Sequence, residues 1–439
     1  MNFSDSEAYL LSLGNEVEAM KLGLDNIRTL FAALGDPQNS YKKVQVAGTN
    51  GKGSVCAFLN SICLQAGIRT GLYTSPHLIS ITERIRIDGV DIGEGEFARI
   101  ATRVRETSER LVADGTLETV PTYFEQVTAI ALFAFAEAKI ELAILETGLG
   151  GRFDATTAAN AEIAAITRID LDHQEYLGDT IEEIAAEKAA IINRWTKNVV
   201  LGEQEPRVLN ILLDRCRQFG QFPDSAQKSF SPVMDIKRKT TRVYETDKIP
   251  PVDLGVKLGL RGAHQVENAH TAMIVSGVLS MDFDIEISDD EARNGLQNAK
   301  HPGRLEYNGK YLFDGAHNIG GANALANYIR EFEARPITLM FGAMNDKNVA
   351  EILSILVPLA ERIIVTEPSN SRSISYQDLL DAIPSGMSKE RTFATDNVKS
   401  AIDIANEATP DEGIILVTGS LYLVGEVKKI IKDNPRFEI

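Results

Sequence analysis

An apolar, β-branched run that breaks into glycines, a lysine and a hydroxyl leaves few folds open to a chain. Residues 44–54 read Val-Gln-Val-Ala-Gly-Thr-Asn-Gly-Lys-Gly-Ser, and a helical pattern follows over 55–66. The expected unit is strand, tight loop, helix. Glycines let the loop turn back and aim successive N–H groups at an anion. The helix N-terminus adds partial positive charge there. Lys52 is placed to reach a β- or γ-phosphate, and Ser54 to face Mg²⁺. The spacing departs twice from the pattern G-x-x-x-x-G-K-[ST]: position 46 is Val, and Gly53 separates Lys52 from Ser54. A glycine-rich turn without ligand is the plain alternative, but it gives no reason for the lysine.

A length of 439 residues suggests two or three domains. The net charge of −17 disfavours a nucleic-acid binder, which would carry a basic face. Phosphate or carboxylate ligands therefore need local positive sites against a repelling field. Cys56, Cys63 and Cys216 have no metal-type spacing, and a reducing cytoplasm fits them. The longest apolar run, 127–136, is too short to span a bilayer, and the acidic N-terminus reads as no signal peptide.

Residues 5–34 carry helical periodicity (Tyr9, Leu10, Leu13, Met20, Leu22, Leu24, Ile27, Leu30, Phe31, Leu34), closed by Gly35 and Pro37. After the loop helix a strand ends at Tyr73, and Ser75-Pro76-His77 opens a surface loop; Ser75 either ligates Mg²⁺ or caps a turn. Two helices are expected over 94–114 and 122–138. At the start of the second, Tyr123 and Phe124 read as core packing, with a flat wall for an aromatic ligand as the functional alternative. An apolar strand over 142–145 then ends in Glu146 and a glycine-rich loop. A carboxylate at a strand end beside a phosphate loop is where Mg²⁺-binding groups sit in nucleotide-binding α/β folds, so Glu146 reads as a metal ligand. The strand at 163–167 leads to Asp170-Leu171-Asp172-His173, placing His173 at the same sheet edge as a further candidate ligand. Thr180 to Glu183 forms a capping box. On the helix it opens, Lys188 among alanines either packs close to another backbone or, on the plain reading, is a solvated surface lysine. Residues 226–260 suggest a hairpin-rich edge. Gln265 and Asn268, three apart on one helix face, either hydrogen-bond adenine or ribose or cap their helix.

The segment 298–304 makes the best domain boundary, its Pro302-Gly303 breaking the helix before it. Beyond it strand and helix alternate: 311–313 then 319–331, 337–341 then 347–359, 363–366 then 375–383, 414–417 then 421–432. The expected fold is therefore α/β, with an N-terminal P-loop-type ATPase domain over 1–298 built on a mostly parallel sheet, and a smaller Rossmann-like α/β domain over 299–439.

Gly48 to Ser54, Tyr73 to Leu78, Glu146-Thr147-Gly148-Leu149-Gly150-Gly151-Arg152-Phe153-Asp154-Ala155-Thr156, His301-Pro302-Gly303-Arg304 and Asp314-Gly315-Ala316-His317-Asn318 together resemble the folylpolyglutamate synthase/dihydrofolate synthase family, a branch of the Mur-type ligases. The likeness runs in order over nearly the whole chain, and the family's loop shares both departures noted above. Ile319 and Asn348 depart from its usual residues. The resemblance implies an ATP- and Mg²⁺-dependent ligase that joins L-glutamate to dihydropteroate or to reduced folates. The acceptor carboxylate attacks the γ-phosphate, the glutamate amine attacks the acyl phosphate, and phosphate leaves. It further implies that Asn50, Gly51, Lys52, Gly53 and Ser54 hold the phosphates and that Ser75, Glu146 and His173 bind Mg²⁺. Lys188 would be carbamylated and become a further metal ligand. Asn268, Arg304 and Asp314 would contact ATP with His317 assisting, while Thr122, Tyr123, Phe124, Glu125, Phe153, Asp154 and Ala155 would line the pterin site. A monovalent cation, a monomeric state and no nucleic-acid or membrane partner complete the expectation. A cell-wall Mur ligase acting on a sugar-nucleotide peptide is the alternative, but it would carry a further domain before the phosphate loop. A non-enzymatic nucleotide-binding module is a third reading.

Overall fold

The computed structural model describes residues 1–14, 23–225, 230–235, 240–245, 252–386 and 388–434. Met20 and Leu22 of the expected N-terminal helical pattern lie outside them. Of that pattern the described residues form helices Phe3–Ser12 and Asp25–Ala33.

The front sheet contains β1 (Lys42–Ala47), β2 (Thr70–Tyr73), β3 (Ile85–Ile87), β4 (Val90–Asp91), β5 (Leu142–Glu146), β6 (Ile163–Ile166), β7 (Asn198–Leu201) and β8 (Asp224–Ser225). Their spatial order is β4-β3-β2-β5-β1-β6-β7-β8. Only the β2–β3 and β3–β4 pairs are antiparallel. Strands β5 and β6 are apolar almost throughout, and β1 is buried over residues 43–47, because helices cover both faces. On one face pack the helices Glu94–Ala113 and Tyr123–Ala138, and farther along Ile181–Ala189 and Pro206–Gln218. On the other lie Lys52–Gln65, His264–Asp282 and Asp289–Asn298.

Strand order places the site. β1 sits between β5 and β6, with Val46 beside Glu146 and Ala47 beside Ile166. The chain leaves β1 toward β2 on one side and later returns as β6 on the other. Such a reversal opens a crevice at the carboxyl ends of the strands. The phosphate loop, Glu146 and the loop after β6 all emerge at that edge.

The polar stretch after β8 forms an antiparallel sheet of β9 (Phe230–Asp235), β10 (Thr240–Glu245) and β11 (Val252–Lys257), in the order β11-β10-β9. The rear sheet is β12 (Glu306–Asn308), β13 (Tyr311–Phe313), β14 (Ile337–Phe341), β15 (Arg362–Thr366), β16 (Thr392–Thr395) and β17 (Ile414–Thr418), ordered β12-β13-β17-β14-β15-β16. All its pairs are parallel except β12–β13. Two apolar clusters fill its faces. Strands β12 and β16 and the helix Val398–Ala408 go beyond the alternation read from the sequence. β16 is short and half-buried, so it lacks the apolar run that marks the central strands.

Candidate active site

A cavity of about 1430 Å³ opens between the carboxyl edges of the two parallel sheets. The phosphate loop forms its front floor. Gly51 adopts φ +91°, and a Cβ there would lie 2.2 Å from Asn268 Oδ1. Only glycine meets both demands. Gly48 is pressed against Thr167 in the same way. The Lys52 ammonium donates to the carbonyls of Gly48 (3.0 Å) and Thr49 (3.1 Å), folded back over the loop it would serve. Burial lowers its pKa, while Glu146 and Asp172 act in the opposite direction.

Glu146 ends β5 at the cavity wall and accepts the Ser75 N–H at 3.3 Å. Burial raises its carboxyl pKa, against the pull of Lys52. Among the described residues no three His, Cys, Asp or Glu side chains converge into a closed metal cage. Mg²⁺ asks for less: it keeps several waters and takes one or two carboxylates plus substrate phosphates. The Glu146 carboxylate beside Ser75, next to a phosphate loop, is a donor set that fits such an ion.

His173 also lines the cavity, but its ring is engaged by the rear sheet. Its Nδ1 lies 3.4 Å from Asp346 without a well-directed hydrogen bond, and its Nε2 lies 3.4 Å from Lys347 Nζ. Burial lowers its pKa, which keeps the ring neutral and able to offer a lone pair.

Lys188 is not the solvated lysine that its alanine neighbours suggest. It is 4% exposed and faces the cavity. Its helix begins with the expected capping box, Thr180 and Glu183 exchanging bonds at 3.0 and 3.2 Å. The helix packs so closely on the Gly150-Gly151 loop that a Cβ at Gly151 would sit 2.7 Å from the Glu187 carbonyl. Burial, then Lys52, lower the Lys188 pKa to about 7.

The apolar end of the cavity is made by Phe124 and Phe153. Phe124 lies flat against Gly148, where a Cβ would come within 2.6 Å of the ring, and Phe153 remains 42% exposed. Tyr123 points the other way, into the core, with the Arg84 guanidinium 5.6 Å from its ring centre. Of the candidate site residues named from the sequence, it alone does not line the cavity. Thr122 and Glu125 close a capping box. The Asp154 carboxylate accepts the N–H groups of Gly148, Leu149 and Thr156 and the Thr156 hydroxyl. At this loop Asp154 therefore shapes the wall, with Ala155 beside it.

From the rear sheet come Arg304, Asp314 and His317. Asp314 holds the N–H groups of Leu305 and Ala316, both at 3.0 Å, and burial raises its pKa. His317 Nδ1 lies 2.8 Å from the Gly315 carbonyl, and its Nε2 faces Asp172 at 3.6 Å.

Asp172 was not singled out from the sequence, yet it is the hub between the sheets. It accepts Lys347 Nζ at 2.7 Å and Asn318 Nδ2 at 3.1 Å. Asn318 Nδ2 also reaches Asn50 Oδ1 at 3.0 Å. Burial acts to raise the Asp172 pKa, but His317 and the Lys347 ammonium outweigh it and hold the carboxyl well below the usual range. The signal available was an acidic pair in one strand-end loop and the run Asn345-Asp346-Lys347-Asn348 in another. Nothing in the sequence joins them.

Residues 46–276 match the family model described as Mur ligase middle domain, and 303–421 match Mur ligase, glutamate ligase domain. The chain is 33% identical over 434 residues to the Bacillus subtilis dihydrofolate synthase/folylpolyglutamate synthase, covering 94% of this chain and 96% of that protein. It is 32% identical to a probable bifunctional folylpolyglutamate synthase/dihydropteroate synthase of Halobacterium salinarum, where 98% of this chain spans 51% of that longer protein. The solved structure of Escherichia coli FolC in complex with DHPP and ADP superposes with a TM-score of 0.83 at 28% identity, over 98% of each chain.

Proposed function

Because the chain belongs to the folylpolyglutamate synthase/dihydrofolate synthase branch of the Mur ligases, we infer that it joins L-glutamate to a folate-type carboxylate in an ATP-dependent amide ligation. The observation that carries this reading is the single cavity shared by the phosphate loop, Glu146 and Lys188 in front and Arg304, Asp314 and His317 behind. A carboxylate is a poor acyl donor. Phosphorylation by ATP gives it a leaving group, after which the glutamate amine forms the amide and phosphate departs. Such catalysis is mainly positioning and charge neutralisation.

In this reading residues 50–54 hold the triphosphate. Lys52 leaves its own loop carbonyls for a phosphate, and Arg304 with Asp314 meets the nucleotide from the rear, beside Asn268 on the front. Ser75 and Glu146, with His173, hold Mg²⁺, which when bound neutralises phosphate charge. Lys188, with a pKa near 7, presents a neutral amine that adds to CO₂ and releases a proton, turning a buried amine into an anionic carbamate. His317 assists at the acyl centre. Phe124 and Phe153 flank the pterin ring, and Thr122, Glu125, Asp154 and Ala155 shape its wall. A monovalent cation belongs to the same proposal. The ADP held by the similar Escherichia coli structure and the name of the Bacillus subtilis relative support ATP as donor and dihydropteroate or reduced folates as acceptors. The proposed domains are 1–298 and 299–439. The free buried thiols favour a reducing cytoplasm, and a monomer is the proposed state.

The test is purified protein with ATP, Mg²⁺ and glutamate, comparing dihydropteroate with tetrahydrofolate. Glutamate-dependent ADP release with either acceptor supports the reading, and none with any folate refutes it.

A further inference from the structure

We propose that Gln265 is a positioning residue for ATP, which fixes the direction in which the Ser54 hydroxyl faces the triphosphate; this rests on the ligase reading above. Gln265 is 1% exposed in the first turn of the helix His264–Asp282. Its Oε1 accepts Asn268 Nδ2 at 3.0 Å, which turns its amide N–H groups the other way. One faces Ser54 Oγ at 3.2 Å, and the other faces His264 Nε2 at 3.1 Å. Burial holds His264 at a pKa of about 4, so its ring is neutral and offers Nε2 as an acceptor.

The consequence lies at Ser54. A serine hydroxyl has two lone pairs and one proton. The Gln265 amide occupies one lone pair. A serine inside a helix can send its proton back to the carbonyl four residues earlier. Here that carbonyl belongs to Asn50, which takes the Thr167 hydroxyl at 2.8 Å, and among the described residues the Ser54 hydroxyl accepts from Gln265 and donates to no protein acceptor. The Ser54 proton is left to point into the cavity that Ser54 lines. Asn268 braces the other end of the same loop, since its Oδ1 lies 2.2 Å from where a Gly51 Cβ would be. One helix face therefore sets both the path of the loop and the polarity of its hydroxyl.

The test uses two replacements of the full chain. Gln265→Glu keeps shape and acceptor but loses the donor, and Gln265→Met removes both. Binding of a non-hydrolysable ATP analogue is measured by calorimetry, alongside separate KM values for ATP and for the folate acceptor. Both variants should weaken the analogue roughly tenfold, as loss of one buried hydrogen bond implies, with the folate KM unchanged. In a Ser54→Ala background the same replacements should have less than about a twofold further effect. If Gln265→Glu binds like the unchanged protein, the amide does not donate to Ser54 and the proposal falls. Equal losses with and without the Ser54 hydroxyl also overturn it. Should the unchanged protein bind no ATP at all, the ligase reading itself fails, a separate outcome. The melting temperature of each variant separates misfolding from lost binding, and the Met variant carries the test if the Glu variant does not fold.

Discussion

Replacing Asp172 by Asn keeps its shape and removes the charge on which the two sheets meet. Lys347 is 7% exposed at its side chain and Asp172 8%, so water does little to compensate the loss. Removing one partner of a buried pair costs roughly 3–5 kcal/mol. Lys347 keeps Asp346 at 3.0 Å, and a hydrogen bond to a charged group is worth roughly 1.5–3 kcal/mol. Between these figures, about 2–3 kcal/mol of coupling is expected. A tenfold change is about 1.4 kcal/mol, so kcat/KM for glutamate should fall roughly 30- to 150-fold. ATP binding measured alone should change less, because Asp172 reaches the phosphate loop only by way of the Asn318 amide shared with Asn50. The assay is a double-mutant cycle of Asp172→Asn with Lys347→Met, read in glutamate-dependent turnover and in melting temperature. A coupling energy below about 0.5 kcal/mol would place this pair with ordinary surface ion pairs and refute the reasoning.

Glu146→Gln should lower turnover by about 100-fold or more while the melting temperature holds or rises, since burial already disfavours the Glu146 carboxylate; circular dichroism and ADP release read the two effects. Lys188 has a pKa lowered to about 7, so its amine is neutral above that pH and protonated below it. Carbamylation uses the neutral form, and activity should therefore decline as pH falls through about 7. Bicarbonate dependence of the rate checks this, and Lys188→Met should abolish it. Gly51→Ala forces a side chain into φ +91° against Asn268. Backbone strain of about 1–3 kcal/mol should appear as weaker ATP binding in calorimetry.

Much of the front of the site was legible because strand ends are legible. An apolar run that stops at Gly48 or Glu146 names its own boundary, and parallel sheets gather such boundaries at one edge. Lys188 was harder. Its alanine neighbours are compatible with either a solvated or a closely packed helix face, and only the approach of Gly151 decides between them. Tyr123 and Phe124 are adjacent and chemically alike, yet helical geometry sends one into the core and the other onto Gly148. The meeting of Asp172 with Lys347 depends on how the two sheets face each other, which periodicity does not encode. Strand β16 escaped notice because a half-buried edge strand carries little of the apolar pattern.

Asn318 gives one amide to both Asn50 and Asp172. Triphosphate capture and the approach of the rear sheet are thereby joined as two ends of one thermodynamic cycle. Whatever factor nucleotide adds to closure, closure returns to nucleotide affinity. An acceptor that draws the sheets together would then slow the escape of ATP before the acyl group is activated, which orders the steps without a dedicated gate.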